Sequence, residues 1–265
     1  MKRWLIHGTL FVLTFGMATL FHGPLYAVTI MGILLSHELG HYLMCKKYGV
    51  AATFPIFIPM PNILGTLGAV IAMRSPIPNR KALFDIGVAG PLVGLALALP
   101  AIIVGLHFSE IRPMNEIAGK ETLYLGEPAL FSWLSEKILG PIPSTQDVFL
   151  HPAAFAGWAV LFVTSINLFP VGQLDGGHML YAMIGRRARI VSWGVVLGLV
   201  YLAFRINPMW FGFVVMILLF IFRHPAPVDD VTPIGRTRWL LGILTYVLMA
   251  VCFSAVPFDF RPPSR

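Results

Sequence analysis

Two short segments, far apart in the chain, carry side chains that bind metal ions and move protons in enzymes. The first is His37-Glu38-Leu39-Gly40-His41, and the second is Leu174-Asp175-Gly176. Residues i and i+4 of a helix lie on one face about one turn apart, so His37 and His41 can hold one zinc-type ion through two imidazoles. Glu38 stands beside them as the candidate general base, placed to accept a proton from water.

A hydrolytic zinc site keeps three protein ligands and one open position, so this pattern requires a third ligand. Asp175 is the best candidate, because the other aspartates lie at a helix start or in loops. Gly176 and Gly177 let the backbone bend and bring the carboxylate close to a neighbouring helix. Asn167 lies eight residues earlier. Its amide either binds substrate backbone or satisfies backbone groups that a nearby proline frees, and both interpretations stay open.

The composition places these polar groups in a membrane protein. The 265 residues are 57% hydrophobic and only 12% charged, and the mean hydropathy is +0.79. The net charge of +7 does not indicate a nucleic-acid partner, because the basic residues form small clusters between apolar runs, as in loops beside anionic lipid. The two cysteines lie in apolar runs, which excludes a disulfide framework or a cysteine zinc site.

The apolar runs predict an all-α polytopic membrane protein with about six to seven transmembrane helices. The predicted organisation is an N-terminal transmembrane helix at 1–22, a catalytic transmembrane core at 23–189 with an external loop at about 107–152, and further helices at 190–265. The first run is expected to be retained, since it lacks a clear signal-peptidase site. The candidate spans are Trp4–Phe21, Pro24–Cys45, Ala82–Leu106, Ala153–Leu174, Ile190–Phe204, Met209–Phe222 and Trp239–Val256.

Lysine and arginine predict the orientation of these spans, because basic residues concentrate in cytoplasmic loops. Their clusters follow spans two and four and precede spans three and seven, which requires a cytoplasmic N-terminus and an external C-terminus. Both motif segments then lie in the cytoplasmic halves of their spans. The chain shows no transit-type segment, so the expected location is a prokaryotic cell (inner) membrane.

The segment Val50–Arg74 is too rich in proline and glycine for a helix and too apolar for a cytoplasmic loop. It predicts a membrane-dipping β-hairpin between the second and third spans, lining a cavity because bare strand edges cannot face lipid. Its edge around Gly65–Val70 is expected to bind substrate as an added strand. The predicted substrate-binding residues are Asn167, Gly65, Thr66 and Gly68.

With these segments, the sequence resembles the site-2 protease family of intramembrane zinc metalloproteases. HELGH at 37–41 is similar to the zinc-binding helix of that family, and the Asn-x-x-Pro-x-x-x-Leu-Asp-Gly pattern at 167–176 matches its second motif. Gly65-Thr66-Leu67-Gly68 resembles the glycine-containing hairpin. The stretches around Pro76–Pro91 and His151–His178 are most similar to the branch that includes plastid members. The chain offers no room for the external PDZ domain of many bacterial members.

The resemblance implies one Zn²⁺ bound by His37, His41 and Asp175, with Glu38 as general base. It also implies hydrolysis of peptide bonds in single-pass transmembrane substrates within the lipid bilayer, as in regulated intramembrane proteolysis. The alternatives are a metal-binding membrane transporter, which would need ligands spaced along a path, and a catalytically silent scaffold, which would tolerate loss of Glu38. Nothing in the sequence specifies the substrate or the oligomeric state.

Overall fold

A computed structural model describes residues 2–114, 124–221 and 226–259. Some features used to predict the topology lie outside these ranges. They include the expected end of the sixth span at Phe222 and the basic residues Lys120, Arg223, Arg261 and Arg265.

Helices dominate the described chain, as the sequence predicts. Three of them are long and apolar enough to cross a membrane by length and composition, at Trp4–His22, Arg80–His107 and the almost continuous helical run Asp175–Arg205. The helices are α1 Lys2–His22, α2 Pro24–Lys47, α3 Arg80–His107, α4 Ala129–Leu139, α5 Pro152–Asn167, α6 Asp175–Ile184, α7 Ala188–Arg205, α8 Trp210–Met216 and α9 Arg236–Cys252.

Helices α2, α3, α5 and α6 form the centre of the molecule, with α3 packed against the other three. Small residues allow this close packing. A Cβ on Gly40 of α2 would lie 2.9 Å from the Ala89 carbonyl oxygen of α3, and a Cβ on Gly105 of α3 would overlap the Ala154 backbone of α5. Without glycine at these positions, the helix backbones could not approach so closely.

The fourth predicted span, Ala153–Leu174, is not one helix. Helix α5 ends at Asn167, and α6 begins at Asp175. Between them the chain turns through residues 168–174, where Pro170 lacks an N–H and Gly172 has φ +53°. The predicted span runs to Leu174 because the segment is apolar, although Pro170 is also expected to end its helix. In the structure the helix ends three residues before that proline. The break allows Asp175 to start a new helix.

A two-stranded antiparallel hairpin lies between α2 and α3. Strand β1 (Ile56–Pro59) pairs with β2 (Thr66–Val70), and the register shifts between Phe57 and Pro59. The pairing continues past the strands, since the Thr53 N–H donates to the Ala72 carbonyl at 2.9 Å. Helix α1 packs against this hairpin. At Gly65, where φ is +73°, a Cβ would lie 2.8 Å from Ala18 Cα of α1.

The segment at 107–152 contains more regular structure than the sequence prediction of a plain loop. Strand β3 (Glu110–Pro113) pairs with β5 (Gln146–Phe149), and α4 packs against α3 and α9. Strand β4 (Tyr124–Leu125) pairs with β6 (Phe258–Asp259), which follows α9. The C-terminal residues that the structure describes therefore lie beside this segment.

Candidate active site

The two motif segments meet at one point between α2 and α6. The Nε2 atoms of His37 and His41 are 3.1 Å apart. The carboxylate of Asp175 lies 3.3 Å from each ring, with one oxygen facing Nε2 of His37 and the other facing Nε2 of His41. Both histidines are buried, at 4% and 5% exposure. The structure thus brings together three side chains that the sequence predicts as metal ligands.

The spacing of these atoms fits a tetrahedral metal ion. Ligand atoms at about 2.0–2.2 Å from zinc are separated from one another by about 3.3–3.5 Å in a tetrahedron. The two imidazole Nε2 atoms are 3.1 Å apart, and each of them is 3.3 Å from one Asp175 oxygen. These distances are close to the tetrahedral value. Two histidine nitrogens and one carboxylate are also a donor set that zinc commonly accepts.

The second nitrogen of His41 fixes the direction of its ring. Nδ1 lies 2.7 Å from the Ile86 backbone carbonyl of α3. A carbonyl only accepts, so Nδ1–H donates, and the lone pair of Nε2 is directed at the centre of the cluster. Hydrogen bonds of this kind fix the tautomer of a metal-binding histidine. The sequence gives no signal for Ile86, because it contributes only its backbone oxygen.

Glu38 is part of the same cluster of polar side chains. It is 6% exposed, and the ligand-type atoms of His37, Glu38 and His41 all lie within 4.8 Å of one another. By proximity alone Glu38 could also be the third ligand. The Asp175 carboxylate, however, places one oxygen 3.3 Å from Nε2 of each histidine, so the geometry favours Asp175 as the ligand and leaves Glu38 beside the centre.

One face of α3 is free of side chains where it meets the cluster. A Cβ on Gly90 would overlap the His41 ring, and a Cβ on Gly94 would lie 3.0 Å from Nδ1 of His37. A Cβ on Gly87 would lie 3.0 Å from the backbone oxygen of Asp175. The sequence interpretation missed these glycines, although their i, i+3, i+7 spacing in an apolar helix is typical of close helix packing.

The cluster opens into a cavity of about 890 Å³. Among the predicted substrate-binding residues, Asn167 at the end of α5 and Gly68 of β2 line this cavity. Gly65 and Thr66 do not. Gly65 faces α1, and the Thr66 hydroxyl donates within the hairpin to the Ile58 carbonyl at 3.0 Å. The cavity wall continues along the hairpin past β2, over residues 69–74.

Comparison with known proteins matches the part of the chain that contains both motif segments. The model of peptidase family M50 matches residues 25–204. "Probable zinc metalloprotease EGY1, chloroplastic" from Arabidopsis thaliana is 34% identical over 87% of this chain and 42% of its own length. The protein of the same name from Oryza sativa subsp. japonica is 33% identical over 87% of this chain and 40% of its own length.

A third relative, "Probable zinc metalloprotease EGY2, chloroplastic" from Arabidopsis thaliana, is 28% identical over 90% of this chain and 42% of its own length. The chain thus spans about two fifths of the length of these curated relatives. The resemblance to the site-2 protease family is confirmed, and the chain belongs to peptidase family M50.

Proposed function

We propose that this protein is an intramembrane zinc metalloendopeptidase that hydrolyses peptide bonds of membrane-anchored substrates. The observation that carries the proposal is the convergence of His37, His41 and Asp175 on one point, with Glu38 beside it and a cavity in front. Ionisable side chains among apolar helices are costly, so four of them at one point indicate a function. The family and the names of the relatives support the same activity.

In this proposal His37, His41 and Asp175 hold one zinc ion. When bound, zinc supplies a Lewis acid that lowers the pKa of a water molecule and polarises the scissile carbonyl. Glu38 accepts the proton of the attacking water and passes it to the leaving amine, so that one residue serves as base and then as acid.

The hairpin next to the site is proposed to hold the substrate as an added strand. In an antiparallel ladder, successive residues direct their backbone groups to opposite sides. The Ala72 carbonyl and the Arg74 N–H bond to residues 53 and 51, so Ile71 and Met73 face away from that partner. Ala69, Ile71 and Met73 therefore present the free edge to the cavity.

An added strand explains how a helical substrate could be cut. A transmembrane helix hides its carbonyls in i to i+4 hydrogen bonds, and unpaired backbone groups cost several kcal/mol each in a membrane. The free edge of the hairpin offers replacement partners. Asn167, which also lines the cavity, is proposed to add a side-chain contact.

The two rival functions make different demands on these residues. A metal transporter needs ligands distributed along a path, whereas His37, His41 and Asp175 converge on a single point. A silent scaffold needs no general base, whereas Glu38 is present and buried beside the two histidines. Both observations favour the protease.

The topology is proposed to comprise six to seven spans around the catalytic core at 23–189, with the hairpin dipping into the membrane. The proposed partners are the bilayer and single-pass transmembrane substrates. The relatives are named chloroplastic, and they lend no support to a prokaryotic cell membrane, which stays a prediction from the sequence.

Proteomics of membrane fractions tests the proposed activity directly. Cells that produce the wild-type chain are compared with cells that produce Glu38→Gln at equal abundance. We expect a small set of single-pass membrane proteins to accumulate uncut with Glu38→Gln. Identical membrane proteomes would contradict the protease, and a changed cellular zinc content would instead favour the transporter.

A further inference from the structure

Helix α9 lies outside the matched family region, which covers residues 25–204, yet it contacts the helix that carries Asp175. The Tyr246 hydroxyl of α9 donates a hydrogen bond of 2.6 Å to the Gly176 carbonyl oxygen. Gly176 is the residue directly after Asp175. A helix outside the family region thus holds the backbone next to a candidate metal ligand.

The other end of α9 is anchored to α3. Arg238 donates from Nε and Nη2 to the two carboxylate oxygens of Asp85, at 2.7 and 2.8 Å. The hydroxyl of Tyr48, just after α2, donates to the same carboxylate at 2.5 Å. A two-point contact between guanidinium and carboxylate fixes geometry as well as distance. Arg238 and Tyr246 lie about 12 Å apart along the helix, so the two contacts set the position and the rotation of α9.

Between these two contacts α9 packs without spare room. A Cβ on Gly242 would lie 2.7 Å from Sδ of Met183 and 3.1 Å from the Phe84 ring. Thr245, one residue before Tyr246, is fully buried. This close approach to α3 and α6 is what brings the Tyr246 hydroxyl within reach of Gly176.

The first turn of α6 is enclosed by three elements. The preceding loop packs against it, since a Cβ on Gly176 would overlap the Leu168 carbonyl and a Cβ on Gly177 would overlap the Gly172 carbonyl. Helix α3 packs against it at Gly87, where a Cβ would lie 3.0 Å from the Asp175 backbone oxygen. Tyr246 of α9 adds the hydrogen bond to the Gly176 carbonyl.

We propose that α9 is a positioning element of the metal site and that Tyr246 is its point of action. The hydroxyl holds the first turn of α6 so that the Asp175 carboxylate stays 3.3 Å from His37 and His41. The inference rests on the metal site proposed above and extends it with a residue outside the family region. Tyr246 contacts neither substrate nor metal in this role and acts only through the backbone.

Tyr246→Phe in the purified full-length chain tests this role. The apparent Kd for Zn²⁺ is measured by chelator competition, and kcat and KM are measured at saturating zinc. Loss of a hydrogen bond behind a metal ligand weakens metal binding by about 10-fold or more, so we expect a 10-fold higher Kd with KM little changed. Thr245→Ala, on the same helix, and Tyr201→Phe, at a site that is 62% exposed, should keep the wild-type Kd.

A wild-type zinc Kd for Tyr246→Phe overturns the inference, whatever happens to Tm. An equal loss of affinity in Thr245→Ala overturns it as well, because the cause would then be a general loosening of α9. If Tyr246→Phe does not fold, Gly242→Ala replaces it, since its Cβ presses α9 away from Met183. Folded Gly242→Ala is expected to bind zinc about 10-fold more weakly, and wild-type affinity in that variant overturns the inference.

The outcome is independent of the proposed activity. If Glu38→Gln cleaves normally while Tyr246→Phe loses zinc affinity, the protease proposal fails and the positioning role stands. If Glu38→Gln is inactive while Tyr246→Phe binds zinc normally, the positioning role fails and the protease stands.

Discussion

Among the four ionisable residues of the site, Glu38 is the one that the proposed mechanism uses as a base and not as a metal ligand. Glu38→Gln keeps the size and shape of the side chain but removes the carboxylate that would act as the base. We expect cleavage of a model transmembrane substrate to fall by about 10²–10⁴-fold, while zinc content measured by atomic absorption stays at one per chain. Cleavage near the wild-type rate would refute the role of Glu38 as general base, and loss of zinc would make it a ligand.

The three proposed ligands should give the opposite pattern. His37→Ala, His41→Ala and Asp175→Ala each remove one donor from a three-donor set, so we expect zinc occupancy to fall together with activity. His107→Ala is the matched control, because His107 is exposed at the end of α3. Full zinc occupancy in Asp175→Ala would assign the third position to another group, with Glu38 the nearest candidate.

The sequence predicts well which side chains lie together at the proposed metal site. The spacing of His37 and His41 is a local property of one helix, so the pattern alone indicates that both face one ion. The pairing with Asp175 came from an argument by exclusion and from the family resemblance. The contact of Ile86 could not be predicted, because any residue type can supply a backbone oxygen. The contact of Tyr246 could not be predicted either, because nothing distinguishes it from other aromatic residues in apolar runs.

At the scale of the element, α3 presents glycines instead of larger side chains to the proposed metal site. Gly90→Ala places a methyl group where the His41 ring lies, so the ring must move away from Ile86. We expect zinc affinity and cleavage to fall at least 10-fold, as for loss of a supporting hydrogen bond. Gly198→Ala on α7 is the control, because a Cβ there meets nothing within 4 Å. Equal behaviour of the two variants would contradict the role of α3.

The hairpin should control substrate binding without affecting the metal. Ala69→Pro removes one N–H from the edge that faces the cavity, so we expect slower cleavage with unchanged zinc content. Glycine or proline near the cut site of the substrate should speed cleavage, because a weaker helix unwinds more easily. The added-strand proposal fails if folded Ala69→Pro cuts normally and these substrate changes have no effect.

The elements themselves were predicted unequally. Long apolar helices such as α1 and α3 were located nearly to the residue, since length and composition decide them. The break between α5 and α6 was located only approximately, because the apolar run set the end of the span at Leu174 while Pro170 was expected to end the helix itself. Strands β3 to β6 are two to four residues long and depend on partners distant in sequence, so local patterns carry little information about them.

At the scale of the whole molecule, two groups of contacts connect helix ends, one at the starts of α3 and α9 and one beyond the end of α9. On one face, Arg238 pairs with Asp85 and Arg80 pairs with Asp230, at 2.7 and 2.9 Å. These contacts join the starts of α3 and α9. On the other face, β4 pairs with β6, and Nε1 of Trp210 donates to the Ala255 carbonyl at 2.8 Å. The predicted topology assigns the first face to the cytoplasm and the second to the outside.

Cysteine labelling tests this assignment. In a variant without Cys45 and Cys252, both buried, single cysteines replace Lys47, Arg187 or Lys137, which are exposed. We expect an impermeant maleimide to label the Lys137 position from outside, and the Lys47 and Arg187 positions only after the membrane is opened. The reverse pattern would invert the topology, and labelling of all three from one side would rule out the two-face arrangement.

The distance in sequence between the HELGH helix and Asp175 has a consequence for biosynthesis. A nascent chain that has delivered α1 to α3 to the membrane already holds both histidines and Glu38, but it lacks the aspartate. The catalytic centre that we propose is complete only after α5 and α6 have followed. On this proposal a half-made chain would lack the third ligand, and cleavage of the helices that insert beside it would wait until α6 has been made.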